Sequence, residues 1–111
     1  MAALLIMVAG PYSASTAESR AANLAAINRA ASEVARLGHH PVIGVNAALP
    51  VLEAAGLPYN DPLMMTISLA LAARCDGCLQ IARSPGADRE AETVRALGRP
   101  VWARLEDIPP V

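Results

Sequence analysis

Two glutamates near the start of a predicted helix are the residues of this chain best suited to chemistry. The stretch SPGADREAETVRAL, residues 84–97, places Glu90 and Glu92 within its first turns. At 100° per residue, Glu90 falls within the arc of the apolar side chains and Glu92 falls on the opposite side. That arc consists of Ala87, Ala91, Val94 and Leu97. We therefore predict that Glu90 points inward and that Glu92 is solvated.

The type and position of Glu90 allow two interpretations. A carboxylate in the first turn commonly caps free backbone amides at a helix start. The other interpretation is a general base or nucleophile, because desolvation raises a carboxyl pKa while a helix N-terminus stabilises the anion. Helical periodicity alone leaves both interpretations open.

The residues that open this helix form a candidate anion site. Ser84, the conformationally free Gly86 and the amide near Ala87 resemble a phosphate cradle, although a Ser before a helix is also a frequent cap. Arg20 is a further candidate phosphate contact if it reaches the loop after the first strand. The alternative for Arg20 is an ordinary solvated side chain.

The two cysteines of CDGC, Cys75 and Cys78, raise the alternatives of a redox motif or half of a zinc site. Zinc normally needs four ligands, and the chain has no second cysteine pair. We therefore predict two buried structural cysteines, no metal and no cofactor. His39 and His40 follow the first predicted helix and are assigned to a surface turn.

The segments that position these residues alternate between apolar runs and helical patterns. Predicted strands are residues 4–9, 40–45, 77–82 and 99–105, and predicted helices lie between them. Ser15 or Thr16 caps the first helix, and Asp61 with Pro62 opens the apolar helix that carries Met64 and Met65, assigned to the core. Residues 46–62, with three prolines, are expected to form a long connection that can contain a short helical piece.

This alternation predicts a single α/β domain over residues 1–111, with a Rossmann-like or flavodoxin-like parallel sheet of four or five strands and helices on both faces. Ligands of such sheets bind beyond the carboxyl ends of the strands. The loops after the first and third strands, AGPYS and ARSPGAD, therefore meet at the expected site, and the long connection folds over the same edge.

Composition excludes several classes of function. The formal net charge is −1 and all nine basic residues are scattered arginines, which argues against a nucleic acid polymer as partner. No run approaches the roughly 18 apolar residues of a membrane span. The apolar N-terminus lacks the charged start of a signal peptide, so a cytoplasmic protein is expected.

Several segments together carry a resemblance to a known family. They are VAGPYS (8–13), Arg20 with Asn23, LGHHPV (37–42), RCDG (74–77) and SPGADREAETVRALGRPVW (84–102), in the same order along the chain. The chain resembles the nucleoside 2-deoxyribosyltransferase-like superfamily, including its small "AGPY" branch and the nucleotide N-glycosidases.

The resemblance implies glycosyl chemistry on nucleosides or nucleotides without a cofactor. Glu90 matches the family nucleophile, which attacks the anomeric carbon and forms a glycosyl ester. Gly10 and Tyr12 match the loop that lines the sugar and base pocket. Ser84 matches a serine that holds a 5′-phosphate in nucleotide-hydrolysing members, whereas the nucleoside transferases more often carry aspartate there, so the resemblance favours a phosphorylated substrate. A homodimer is expected, as is usual in the family.

The chain departs from the family pattern at two supporting positions. Met7 replaces a tyrosine on the first strand, and Ser68 replaces an aspartate on the helix before the third strand. The chain also lacks the longer C-terminal segment of the transferases, which favours hydrolysis or binding over base exchange. The alternative expectation is therefore a nucleotide-binding or sensing module that keeps the pocket without catalysis.

Overall fold

Four parallel strands form one sheet in the order β2-β1-β3-β4. The strands are β1 (Leu5–Ala9), β2 (His40–Val42), β3 (Gly77–Gln80) and β4 (Val101–Trp102). The computed structural model describes residues 1–111. From β1 the chain passes to β2 on one side and returns to β3 on the other, so strand order reverses between β1 and β3. A doubly wound sheet opens its ligand crevice at such a switch point.

Helices cover both faces of the sheet, as the alternating sequence pattern predicts. They are α1 (Ala17–Arg36), α2 (Gly44–Ala54), α3 (Pro62–Ala72) and α4 (Pro85–Ala96), followed by a 3₁₀ turn at Leu105–Asp107. The expected α/β architecture is confirmed. None of these helices is long and apolar enough to cross a bilayer.

Alternate residues of β1 divide the core into two layers. Ile6 and Val8 pack with α1 and the C-terminal turn on one face. Met7 and Ala9 pack with α3, α4 and the two cysteines on the other face. All four side chains are at most 1% exposed, because both faces of the central strand are covered.

The predicted helix signals hold at both ends of α1 and at the start of α3. Thr16 Oγ1 accepts the amide of Ser19, and Asp61 Oδ1 accepts the amide of Leu63 at 2.9 Å. Gly38 follows α1 with φ of +94°, a conformation that disfavours a side chain.

The predicted strand over residues 40–45 is too long, and the helical piece in the connection after it is longer than expected. The strand ends at Val42 and α2 begins two residues later, running for 11 residues with Pro50 inside it. The expected fourth strand over residues 99–105 is also shorter, because only Val101 and Trp102 pair with β3. Leu97 is 50% exposed, since it follows the last residue of α4, so its predicted inward position is wrong as well.

His39 is buried, which corrects its assignment to a surface turn. Its Nδ1 accepts the amide of Leu4 at 3.0 Å, and its Nε2 lies 2.6 Å from the carbonyl oxygen of Pro109. His39 therefore connects Leu4, just before β1, with Pro109 near the C-terminus. His40 remains exposed, as predicted.

Candidate active site

A cavity of about 330 Å³ opens at the carboxyl ends of β1 and β3, where the topology predicts a ligand site. Its volume falls within the range of roughly 300–1,000 Å³ typical of small-molecule sites. The three loops expected at this edge all contribute to it. The lining residues are Gly10, Pro11, Tyr12, Ser13, Val45, Tyr59, Asn60, Asp61, Pro62, Met64, Met65, Ser68, Ser84, Pro85, Gly86, Ala87 and Glu90.

Glu90 lies on the inner face of α4, as the helical wheel predicts, and Glu92 is exposed. Because α4 begins at Pro85, Glu90 belongs to its second turn and not to the first turn expected from the sequence. The residue is only 8% exposed, and Oε2 is fully buried without a hydrogen-bond partner. It therefore does not cap the helix start, and the capping interpretation of this carboxylate is wrong.

Burial controls the protonation of Glu90. Desolvation raises the pKa of its carboxyl group from 4.5 to about 7, and no charge or hydrogen bond offsets this effect. The anion is disfavoured because the protein withdraws water without supplying a donor. A carboxyl group with such a shift inside a cavity is a candidate catalytic group.

Ser68 and Gly44 approach Glu90 from two other helices. A Cβ atom placed on Gly44 would collide with Ser68 Oγ and would lie 3.0 Å from Glu90 Oε2. Only glycine therefore fits here without displacing a neighbour. Helix α2 begins at Gly44 with no side-chain cap.

The start of α4 offers fewer free donors than the predicted anion site requires. Ser84 Oγ accepts the amide of Ala87 at 3.1 Å, and the carbonyl of Ser84 accepts the amide of Asp88 at 2.8 Å. Pro85 has no amide hydrogen. All three predicted residues, Ser84, Gly86 and Ala87, line the cavity, but only Gly86 keeps an unused amide in this turn.

Tyr12 and Tyr59 form the wall between the main cavity and a second cavity of about 420 Å³. Their ring centroids are 6.1 Å apart in an edge-to-face arrangement. Arg20 lines only the second cavity. Its guanidinium group stacks 4.0 Å above the Tyr59 ring and donates to the carbonyl of Ala14, so it holds the loop after β1. The structure thus does not bring Arg20 into the site with Glu90.

Gly10 lies in the cavity wall, as predicted, and the structure leaves no room for a side chain at this position. A Cβ atom at this position would lie 2.7 Å from Ile81 Cγ1. Met7, by contrast, is fully buried in the core and does not line the cavity. The family that the chain resembles carries a tyrosine at this position, whereas Met7 provides no polar group to the cavity.

The cysteines are buried structural residues, as predicted. Burial raises the pKa of Cys75 to about 11 and that of Cys78 to about 12, so both remain thiols at neutral pH. No group of three or more His, Cys, Asp or Glu side chains is placed to hold a metal ion.

Several lining residues were not expected from the sequence. Met64 and Met65, which the sequence places in the core, both line the cavity and are only half-buried. Asn60 and Tyr59 come from the long connection, for which only a general position at this edge is predictable. Their spacing carries no distinctive pattern, so only the tertiary structure identifies them.

No family model matches the chain, and no curated protein matches it.

Proposed function

We propose that this protein hydrolyses the N-glycosidic bond of a nucleoside or nucleoside 5′-monophosphate, with Glu90 as the covalent nucleophile. The observation that carries the proposal is the buried, unpartnered carboxylate of Glu90 in a cavity of ligand size. The resemblance to the nucleoside 2-deoxyribosyltransferase-like superfamily, drawn from the residues around Gly10 and Ser84, supports the same chemistry.

The proposed reaction proceeds in two displacements. A Glu90 oxygen bonds to the anomeric carbon, the C1′–N bond breaks, and the base leaves with the electron pair and then takes up a proton. Water next attacks the anomeric carbon of the glycosyl ester, which releases the sugar and regenerates the carboxylate. Both transition states have oxocarbenium character, so the sugar carries positive charge. The sugar would therefore be the positively charged partner that the Glu90 anion does not have in the empty site.

Gly10 and Tyr12 would contact the sugar and base in this proposal. Ser84 and the amide of Gly86 would lie near the 5′ end of the substrate. Because one amide is a weak phosphate site, the unphosphorylated nucleoside is favoured among the two substrate classes. Nothing in this scheme requires a cofactor.

A sensing function is the second candidate, and one observation favours it. In the family pattern a tyrosine and an aspartate support the nucleophile, but Met7 and Ser68 occupy these positions. Glu90 Oε2 accordingly has no donor to orient it. A protein that binds nucleotides without cleaving them would have the same cavity and lack these supports.

Base release distinguishes the two functions. Each common nucleoside, deoxynucleoside and 5′-monophosphate would be incubated with the protein, and free base would be measured by chromatography. The proposed hydrolase releases base, Glu90→Gln abolishes release, and Glu92→Gln, an exposed change on the same helix, retains it. Binding of a nucleotide with no base release would instead support the sensor.

We also propose a homodimer. Helix α3 is apolar around most of its circumference, yet only Ser68 and Ala72 are buried within it. A partner subunit would cover its half-buried apolar side chains. Sedimentation equilibrium should therefore give twice the chain mass of 11.5 kDa, and a mass of 11.5 kDa would contradict the dimer.

A further inference from the structure

The main cavity contains acidic side chains and no basic one. All nine basic residues of the chain are arginines, and none of them lines the cavity. Arg83 pairs with Asp88 at 3.0 Å outside it. Two carboxyl groups, those of Asp61 and Glu90, face the same space. The charged side chains that line the cavity are therefore all acidic.

Backbone donors do little to reverse this charge. Two helices, α3 and α4, begin at the cavity with proline in the first position, which removes one amide from each. At the start of α3, Asp61 accepts the amides of Leu63 and Met64 at 2.9 and 3.0 Å. The uncapped start of α2 lies against the Glu90 carboxylate, so an anion bound there would meet a like charge.

The remaining surfaces of the cavity suit a flat, polarisable cation. The Tyr12 ring carries negative electrostatic potential on its face, which attracts positively charged groups. The thioethers of Met64 and Met65 are polarisable and contact aromatic rings favourably. A planar base with a delocalised positive charge would meet these groups and the carboxylates together.

We propose that the preferred substrates are N-glycosides whose base carries a positive charge, such as N-alkylated purine or pyridinium nucleosides. This inference rests on the proposed hydrolase function. When the C1′–N bond of such a compound breaks, the electron pair neutralises the base. No proton has to be delivered to the leaving group, so a single carboxylate suffices for the first displacement. The cavity therefore needs no second catalytic acid for this substrate class.

The test compares 7-methylguanosine, guanosine and guanosine 5′-monophosphate, each together with its 2′-deoxy counterpart. These compounds share the guanine ring system and differ by the N7 methyl group or the 5′-phosphate. Base release is measured at constant ionic strength. Because methylation itself weakens the glycosidic bond, each kcat/KM is divided by the rate of the uncatalysed reaction. This ratio should be about tenfold higher for 7-methylguanosine than for guanosine and lowest for the monophosphate.

Asp61→Asn provides the matched variant, because its side-chain oxygen can still accept the amide of Leu63. It should reduce the advantage of the methylated substrate by about threefold through a higher KM. Added salt should weaken binding of the methylated substrate most.

The outcomes separate this inference from the function on which it rests. An equal or higher corrected ratio for guanosine or its monophosphate overturns the cationic preference and leaves the hydrolase intact. An unchanged preference in Asp61→Asn also contradicts the electrostatic basis. No base release from these probes or from any other common nucleoside or 5′-monophosphate overturns both proposals.

Discussion

Replacing Glu90 with Gln should stabilise the protein above neutral pH while removing its proposed nucleophile. The wild-type carboxyl group is buried, and Oε2 has no donor, so its ionisation on raising the pH is unfavourable in the folded state. Gln has nearly the same shape and carries no charge. The variant therefore keeps the packing of the protonated residue without the cost of the buried anion.

The size of this effect follows from the pKa. Burial raises the pKa of Glu90 from 4.5 to about 7, and each tenfold step in acidity is worth about 1.4 kcal/mol. Because the folded-state pKa is raised, the stabilisation by the neutral form is fully present below pH 4.5. This stabilisation, about 3 kcal/mol, is lost as the pH rises from 4.5 through about 7. This is a large share of the roughly 5–15 kcal/mol that stabilises a typical domain.

Thermal unfolding from pH 4.5 to pH 8.5 provides the assay. The melting temperatures of wild type and Glu90→Gln should coincide near pH 4.5 and differ by roughly 10 °C at pH 8, with the variant higher. Glu92→Gln is the control, because Glu92 is exposed and pairs with Arg95 at 2.9 Å on the same helix. Its melting temperature should follow wild type at every pH.

Two results would refute this reasoning. Parallel curves for wild type and Glu90→Gln would mean that the Glu90 pKa is close to its unfolded value. A variant less stable than wild type at pH 8 would mean that the carboxylate has a favourable partner in the folded state.

Three further predictions concern activity and packing. If Glu90 is the nucleophile, kcat/KM for base release should rise with pH through about 7 and then level off, and a flat profile from pH 5 to 9 would oppose this role. Gly44→Ala should lower stability by about 1–3 kcal/mol in urea unfolding, because the new methyl group collides with Ser68; an unchanged midpoint would contradict this contact. His39→Ala should cost about 2–3 kcal/mol by removing a buried ring and leaving two backbone groups unpaired, whereas the exposed His40→Ala should cost under about 0.5 kcal/mol. Equal losses in the two histidine variants would contradict the buried role.

The features that sequence analysis predicts here depend on local pattern. The inward position of Glu90 follows from helical periodicity, and the starts of α1 and α3 follow from Thr16 and Asp61. The parallel sheet follows from the alternation of apolar runs with helices. Each of these signals lies within a few residues of the feature it determines.

The features that sequence analysis misses depend on distant contacts. Pro50 suggests a break, but α2 continues through it, because packing against α3 outweighs the local preference. His39 is buried by C-terminal residues about 70 positions away. Ser68 and Gly44 meet Glu90 from two other helices, so the surroundings of the candidate nucleophile could not be predicted from the sequence around it.

The unfavourable anion of Glu90 also connects the two proposals. A structural glutamate would cap a helix or join an ion pair, yet Glu90 Oε2 has no partner, and burial raises the pKa of this carboxyl group to about 7. A ligand that brings positive charge beside it would supply the missing interaction and lower its pKa toward the usual value. By linkage, such a ligand should raise the melting temperature more at pH 8 than at pH 5, whereas an anionic nucleotide should bind more weakly as the carboxylate ionises. The direction of this pH dependence therefore reports the charge of the ligand for which the cavity is built, whether or not the bound molecule is cleaved.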